Sequence, residues 1–438
     1  MTKVDADGAT DAPATGGGSE HWLGNLLVCT FGSFTTIVGM TLLLPFLPLY
    51  VAELGVTDEA AIVQWSGVAF GATFLSAALV APLWGRLADR YGRKPMLIRA
   101  SLGMAIAISL IGVVGDVYQL VGLRLLTGLL GGYASGSYVL VATQSPKARS
   151  AWALGTLSSG IMAGNLAGPL LGGFLPPLIG IRATFLASGG IIFVAFLATA
   201  FLIRERRRPG RAAAATVRGG LAAIPDKGPL ITMLITGMLL MFATMSIEPI
   251  ITVYVAQLVD DPARVTVTAG FVMAGAALGS ILSAPRLGKL ADRVGPWTVI
   301  VGCLAACALL LIPQAFVTEG WQLVLLRFLM GAALGGLLPC VASVIRHSVP
   351  EHTVGMALGY STSSQYVGQV AGPLVGGYVG GHFGMRAVFF GTCLLMAAGA
   401  AFTGAVARSR RGRGEGAAEG LVEGAAEGAS PPSRRLWR

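Results

Sequence analysis

Charged side chains are scarce in this chain, which has 438 residues but only 12% Asp, Glu, Lys and Arg. Soluble domains carry about 25% charged residues, so the composition argues against a soluble globular protein. Hydrophobic residues make up 54% of the chain instead. This balance predicts a multi-pass membrane protein.

Residues that build metal and enzyme sites are also scarce. The five cysteines all fall in apolar stretches, and Cys303 and Cys307, one helical turn apart, have no nearby His or carboxylate. We interpret them as small core residues rather than as a metal or redox site. The chain contains no G-x-x-x-x-G-K-[ST] loop, which excludes ATP hydrolysis. We therefore expect no enzyme, no metal and no cofactor, and any transport has to draw on an ion gradient.

Long apolar stretches are the most abundant feature. A run of 18 or more apolar residues is long enough to cross a hydrocarbon core of about 30 Å. The first run is too long for a signal-peptide core and follows no basic segment, so we expect it to remain as a helix. Twelve spans are predicted, at about 23–51, 63–84, 96–114, 118–141, 151–175, 183–203, 230–256, 267–287, 297–316, 321–345, 354–379 and 385–406.

The net charge of +10 raises the question of a nucleic-acid partner, which the placement of the basic residues answers. Of the 31 Lys and Arg, 26 lie in segments on the side of the loop at 85–95, and three lie on the other side. The positive-inside rule then predicts that both repeated loops, both termini and the 204–229 segment are cytoplasmic. The composition, rich in Ala, Gly and Arg, indicates a bacterium, so we expect the inner membrane. The charge indicates topology and not a nucleic-acid partner. Binding of anionic lipid by 206–211 and the basic tail stays an alternative to simple solvation.

A decapeptide occurs twice, as GRLADRYGRK from Gly85 and as GKLADRVGPW from Gly288. Around it, eight of twelve positions agree between 81–92 and 284–295, and later landmarks repeat at an offset of 203 or 204. The chain is thus predicted to be six helices written twice in the same orientation, as in secondary transporters with parallel repeats. The predicted units are a cytoplasmic tail at 1–22, a bundle at 23–203, a cytoplasmic linker at 204–229, a second bundle at 230–406 and a disordered cytoplasmic tail at 407–438.

These motifs resemble those of a known family. The paired G-x-L-A-D-R-x-G loops and the Arg in the fourth span look like the signature of the major facilitator superfamily. A glycine run in the fifth span is similar to the antiporter motif of its proton-coupled drug exporters, and segments such as LPFLPLYVAELGV look most like the MdtG-type bacterial multidrug exporters. The run comprises Gly160, Gly164, Gly168, Pro169, Gly172 and Gly173.

The resemblance covers roughly residues 25 to 406. It implies an all-α membrane fold of twelve helices in two pseudosymmetric six-helix bundles. It also implies a monomer that exports lipophilic, often cationic small molecules in exchange for protons by alternating access. An importer or facilitator of a small polar metabolite is the alternative, and a non-transporting receptor or channel is a more remote one.

The resemblance further implies a latch at the repeated loop, which forms in the outward-open state and breaks in the inward-open state. Asp89 can accept hydrogen bonds from the free N–H groups at a helix N-terminus. The second copy has Pro296 and Trp297 where the first has Arg93 and Lys94, so we expect the first loop to matter more. The alternative is a basic loop that only sets topology. The predicted latch residues are Gly85, Asp89, Arg90, Gly92, Arg93, Lys94, Gly288, Asp292 and Arg293.

Charges inside apolar spans are candidate functional groups, because burying one costs about 2.5–3.5 kcal/mol on insertion scales. Arg124 and its repeat Arg327 are two such residues, and the resemblance implicates the first in a proton path. Snorkelling to the periplasmic interface is the alternative for both. Glu248, beside Pro249 in the seventh span, is predicted to carry the proton or to anchor cationic drugs, with an inert cavity-edge carboxylate as the alternative. Glu53, at the outer end of the first span, is a weaker candidate for proton uptake.

The substrate is bounded by what the spans lack. Sugar sites need several amide and carboxylate partners, yet the chain has only two asparagines. Aromatic and amphipathic side chains suit lipophilic compounds better, although packing against protein or lipid is the alternative for each aromatic. The predicted cavity residues are Phe34, Phe46, Tyr50, Tyr138, Asn165, Phe242, Tyr254, Gln365, Tyr366 and Gln369.

Overall fold

A computed structural model describes residues 21–205, 224 and 226–427, and every regular element in these residues is a helix. The first half contains α1 (Trp22–Thr41), α2 (Leu47–Glu53), α3 (Glu59–Tyr91), α4 (Arg93–Ile111), α5 (Val117–Leu130), α6 (Tyr133–Gln144), α7 (Ser150–Ile179) and α8 (Ile181–Leu202). The second half contains α9 (Gly228–Ile247), α10 (Ile251–Ala256), α11 (Pro262–Val294), α12 (Pro296–Gln314), α13 (Gly320–Leu334), α14 (Leu337–Ser348), α15 (Val354–Phe383) and α16 (Met385–Glu427).

The helices alternate between two faces of the molecule. We define the basic face by the helix ends at 91–93, 144–150, 202–205, 226–228, 294–296 and 348–354. The opposite face is defined by the ends at 53–59, 111–117, 179–181, 256–262, 314–320 and 383–385.

Eleven helical segments among the described residues are long and apolar enough to cross a membrane. The exception among the twelve predicted spans is α15, which has the length, at 30 residues, but not the apolarity. Its sequence carries a run of Ser, Thr and Gln and many glycines. It packs against α9 of its own half and α3 of the other, and the residues that it buries there are mostly glycines. The prediction that all twelve spans are apolar is therefore wrong for this helix.

Two spans are interrupted at equivalent points of the repeat. A 3-10 turn at Leu44–Phe46 separates α1 from α2, and a second at Glu248–Ile250 separates α9 from α10. Each turn has proline as its second residue, which removes a backbone donor and disfavours a continuous helix. Breaks of this kind inside a membrane span are a common way to shape a site.

The repeat extends to tertiary packing near the opposite face. The hydroxyl of Tyr50 donates to the carbonyl oxygen of Ile111 at 2.5 Å, and its ring lies 5.4 Å from that of Phe185. In the second half, Tyr254 donates to the carbonyl oxygen of Gln314 at 2.9 Å and lies 5.2 Å from the ring of Phe389. The duplicated sequence thus builds the same buried cluster twice.

Glycines hold the helices of each half together. A Cβ on Gly172 would lie 1.8 Å from the carbonyl oxygen of Leu42, so α7 meets α1 backbone to backbone. The equivalent distance from Gly376 to the carbonyl oxygen of Ser246 is 1.9 Å, which joins α15 to α9. Only glycine permits such an approach.

Gly173 and Gly377, which directly follow these two glycines, face the other half. A Cβ on Gly173 would lie 2.8 Å from the carbonyl oxygen of Thr266 on α11, and the hydroxyl of Thr266 donates to the carbonyl of Gly173 at 3.0 Å. A Cβ on Gly377 would lie 3.0 Å from the carbonyl oxygen of Val63 on α3. Thr252 also donates to the carbonyl of Leu44 across the halves. These contacts lie towards the opposite face, where they join the two halves.

The ends of the chain differ in part from expectation. The last helix was predicted to end near residue 406 and to be followed by a disordered tail, whereas α16 continues to Glu427. Ala, Glu and Arg, which are strong helix formers, dominate this extension, and it contains no proline. Residues 1–20, 206–223, 225 and 428–438 lie outside the described residues, and so do most of the predicted N-terminal tail and linker.

Candidate functional site

Glu248 occupies the break between α9 and α10. Its side chain is partly exposed, yet its Oε2 is buried and has no hydrogen-bond partner. A buried carboxylate oxygen without a partner is costly, so such a group is expected to act rather than to support the fold.

Arg327 lies on α13 and is buried, with 3% of its surface exposed. Its Nε and Nη2 are buried without hydrogen-bond partners, and its charge interacts with that of Glu248. The side chain does not snorkel to the interface. Two opposite charges thus interact inside the second half, while two donors of Arg327 and one acceptor of Glu248 have no hydrogen-bond partner.

Arg124 is the equivalent residue of the first half, and its surroundings differ. It is also buried, but its Nε donates to the carbonyl oxygen of Ala69 at 3.3 Å and its guanidinium lies 5.9 Å from the ring of Phe70. At the offset of 204, Leu44 stands where the second half has Glu248. An acidic residue accompanies the buried arginine only in the second half. In the first half Arg124 is held by a carbonyl oxygen and an aromatic ring.

Seven of the predicted cavity residues are exposed or half-buried, on α1, α6, α7, α9 and α15. Tyr138 is exposed and bonds to Ser158 across α6 and α7 at 2.6 Å. Asn165 is exposed and donates to the carbonyl of Ile161 on its own helix. On α15, Gln365 donates to Ser361 at 3.2 Å. The half-buried members of the set are Phe34, Phe242, Gln365, Tyr366 and Gln369.

The other predicted members do not lie there. Phe46, Tyr50 and Tyr254 are buried in the apolar cluster near the opposite face, with exposures of 0%, 0% and 4%. Their hydroxyl groups and rings are used for packing, because each tyrosine closes the end of a neighbouring helix. Glu53 is exposed at the end of α2, away from Glu248. The three aromatic side chains therefore pack the fold and do not line a cavity in this structure.

The first copy of the repeated loop carries an ion pair and a helix cap. Asp89 pairs with Arg93 of the same half. Gly92 turns the chain with a φ of 98°, which favours glycine. The carboxylate of Glu205 accepts the backbone N–H groups of Arg93 and Lys94, both at 2.8 Å, and so satisfies the free donors at the start of α4.

Sequence reasoning did not identify Glu205, which stands among arginines in a segment predicted to be a solvated linker. The available signal was that it is the lone acid in the run IRERRR. In the second copy, Pro296 starts α12 and has no N–H to satisfy, so that loop needs no such cap. The two copies therefore share the turn and differ in how the next helix begins.

The cysteines take no part in this site. Four of the five are buried and Cys393 is half-buried, and all are free thiols. Across residues 21–205, 224 and 226–427, no group of three or more His, Cys, Asp or Glu could hold a metal ion.

Comparisons with known proteins agree with this architecture. The model of the Major Facilitator Superfamily matches residues 29–317 and 233–437. Multidrug resistance protein MdtG of Enterobacter lignolyticus is 41% identical over 90% of this chain and 94% of its own length. The protein of the same name from Salmonella typhimurium is 42% identical over 84% and 92%.

Solved structures support the fold alone, since their identities are low. A bacterial homologue of the human lysosomal transporter Spinster, in an inward-facing and occupied conformation, gives a TM-score of 0.71 at 16% identity, covering 89% of this chain and 98% of that one. The nucleoside transporter NupG gives 0.71 at 14% identity, covering 89% and 99%. The family match, the MdtG relatives and the duplicated all-helical architecture agree, and the chain belongs to the Major Facilitator Superfamily.

Proposed function

We propose that this chain is a secondary transporter that exports lipophilic, often cationic small molecules in exchange for protons. The observation that carries the proposal is the buried Oε2 of Glu248, which has no hydrogen-bond partner and whose charge interacts with that of the buried Arg327. The relatives named multidrug resistance protein MdtG support the same class of substrate.

In this proposal Glu248 alternates between two partners. When ionised, it is balanced by the charge of Arg327 or by a cationic substrate. When protonated, it is neutral and no longer attracts the substrate. Because neither Oε2 of Glu248 nor Nε and Nη2 of Arg327 is committed to another group, exchange between these states breaks no hydrogen bond of those atoms. Competition of proton and substrate for one carboxylate is sufficient to couple their movements.

Alternating access is proposed to occur by rocking of the halves about the glycine contacts. The halves meet near the opposite face where Gly173 of α7 contacts α11 and Gly377 of α15 contacts α3. Asp89 is paired within its own half, as expected for an open latch. We assign the basic face to the cytoplasmic side of a bacterial inner membrane, with both termini in the cytoplasm. We assign the conformation to a state that is closed to the outside. The transporter is proposed to work as a monomer.

The energy available is adequate for this role. One charge moving through 100 mV releases about 2.3 kcal/mol. At about 1.4 kcal/mol per tenfold ratio, a single proton sustains roughly a 50-fold substrate gradient.

The test is ethidium efflux from preloaded cells that lack their own drug exporters and express this chain. We expect energised efflux that a protonophore abolishes and that Glu248→Gln eliminates. Glu319→Gln is the matched control, because Glu319 is an exposed carboxylate at the start of the helix that carries Arg327. Efflux that survives either the protonophore or Glu248→Gln would refute the coupling, and protein-dependent uptake of a polar metabolite would replace the export function.

A further inference from the structure

A cavity of about 410 Å³ opens between α12 and α16 near the basic face. Its volume is within the range of about 300–1,000 Å³ typical of small-molecule pockets. Small side chains of α16 form one wall, and Trp297, Val301 and Arg408 lie around it. The full lining comprises Trp297, Thr298, Val301, Ala400, Ala401, Gly404, Ala407 and Arg408.

The cavity lies away from the transport pathway. The helices that join the halves are α3, α7, α11 and α15, whereas α12 packs mainly against α16, α13 and α14 and less against α11, all within its own half. An opening between α12 and α16 therefore faces the surrounding membrane rather than the space between the halves.

Trp297 gives the second decapeptide a role of its own. It stands where the first copy has Lys94, and it is the second residue of α12. Tryptophan at this position is typical of the membrane interface, where its apolar ring and polar N–H meet both environments. The residue that weakens the second copy as a latch thus lines this cavity.

The mouth of the cavity is positively charged. Arg408 is exposed, and among the described residues its guanidinium donates only from Nε, to the carbonyl oxygen of Gly404 at 3.4 Å. Arg410, two residues further along α16, is not in the lining and pairs with Asp226 at 3.3 Å. An apolar cavity with Arg408 at its mouth is complementary to an acyl chain that ends in an anionic headgroup.

We propose that this groove binds a phospholipid with an anionic headgroup. One acyl chain lies along Ala400, Ala401 and Gly404 beside Val301, and the phosphate is bound by Arg408 next to Trp297. The site lies in the leaflet that contacts the basic face, where anionic lipids attract basic segments.

A second cavity provides the contrast. It measures about 520 Å³ and lies near the opposite face, around Pro313, Phe316 and Trp321. Its lining contains no charged residue. Apolar grooves thus occur at both faces of this half, but only the groove at Arg408 has the charge to select an anionic headgroup.

The test uses the purified full chain and native mass spectrometry with phosphatidylglycerol or phosphatidylcholine of the same acyl chains. We expect the wild type to bind phosphatidylglycerol more tightly. Arg408→Gln should weaken phosphatidylglycerol binding roughly fivefold, which corresponds to about 1 kcal/mol for one basic residue near the surface. Binding of phosphatidylcholine should weaken less, because its choline cation already neutralises the phosphate that Arg408 contacts. Gly404→Leu should reduce binding of both lipids, because a Cβ there has Val301 at 3.7 Å and a larger side chain fills the groove.

Gly391→Leu is the matched control, since it adds the same side chain to α16 where nothing lies within 4 Å. It should bind both lipids like the wild type. Unchanged lipid binding in Gly404→Leu, or an unchanged preference in Arg408→Gln, would overturn the proposal. A dimer lost only in Gly404→Leu would also overturn it, because the groove would then hold a second copy. If Gly404→Leu unfolds in a thermal scan, the exposed Arg408→Gln still decides the outcome.

Discussion

Gly67 on α3 lies at the contact between the two halves, and a methyl group there should act as a wedge. A Cβ at this position would lie 2.2 Å from the carbonyl oxygen of Pro373 and 3.1 Å from its carbonyl carbon. Both atoms belong to the backbone of α15, so they cannot rotate away. The helices have to separate by about 1 Å to restore an ordinary contact.

Overpacking of this kind costs about 1–3 kcal/mol. In the proposed rocking of the halves this contact is lost when the opposite face opens, so the cost falls on the closed state alone. At about 1.4 kcal/mol per tenfold, Gly67→Ala should shift the equilibrium roughly 5- to 140-fold towards a state open at the opposite face. The variant should still fold, because alanine is favourable inside a helix.

The assay is a spin-label distance measurement between labels at Glu59→Cys and Phe383→Cys, two exposed positions at the opposite face on different halves. Native cysteines are first replaced. Gly67→Ala should enlarge the long-distance population. Gly190→Ala, where nothing lies within 4 Å, is the control and should leave the distances unchanged. If Gly67→Ala gives the wild-type distribution, the close contact of α3 and α15 does not hold the opposite face shut.

Three further variants test the site. Asp89→Asn removes an exposed ion pair with Arg93 that contributes about 0–1 kcal/mol to stability, so Tm should stay constant. Ethidium efflux should slow, and unchanged efflux would show that the loop sets only topology. Glu205→Gln loses the charge-assisted hydrogen bonds to the start of α4. The free energy of unfolding should fall by about 1–2 kcal/mol and Tm should fall with it. An unchanged Tm would contradict the capping role. Arg327→Gln leaves Glu248 without its counter-charge and should lower Tm, since breaking a buried pair costs about 3–5 kcal/mol. The double variant with Glu248→Gln should recover part of that loss, and no recovery would contradict the pairing.

The sequence predicts the architecture well because the architecture is repeated. The offset of 203 to 204 predicts two equivalent bundles, and the structure repeats even the buried cluster of Tyr50 in that of Tyr254. That repetition was also an available sign that these tyrosines support packing. A residue that recurs in both halves is more easily explained by the shared fold than by a site that exists once.

The charge pair was only half predictable. Glu248 and Arg327 each stand out as a charge in an apolar span, but their sequence separation says nothing about contact. Their electrostatic interaction depends on where the tertiary fold places the break after α9 relative to α13, which the sequence does not give. The cap by Glu205 was hidden for a different reason, because a linker rich in arginine resembles a solvated loop until its first residues are placed against α4.

Exchange of protons for substrate through Glu248 can be observed directly as proton movement driven by a substrate gradient. The purified chain is reconstituted into liposomes that contain ethidium and a pH-sensitive dye, and dilution imposes an outward ethidium gradient. We expect protons to enter as ethidium leaves, so the interior should acidify in wild-type liposomes and not in Glu248→Gln liposomes. Protons leaving together with ethidium, or ethidium leaving with no proton movement, would contradict exchange through Glu248.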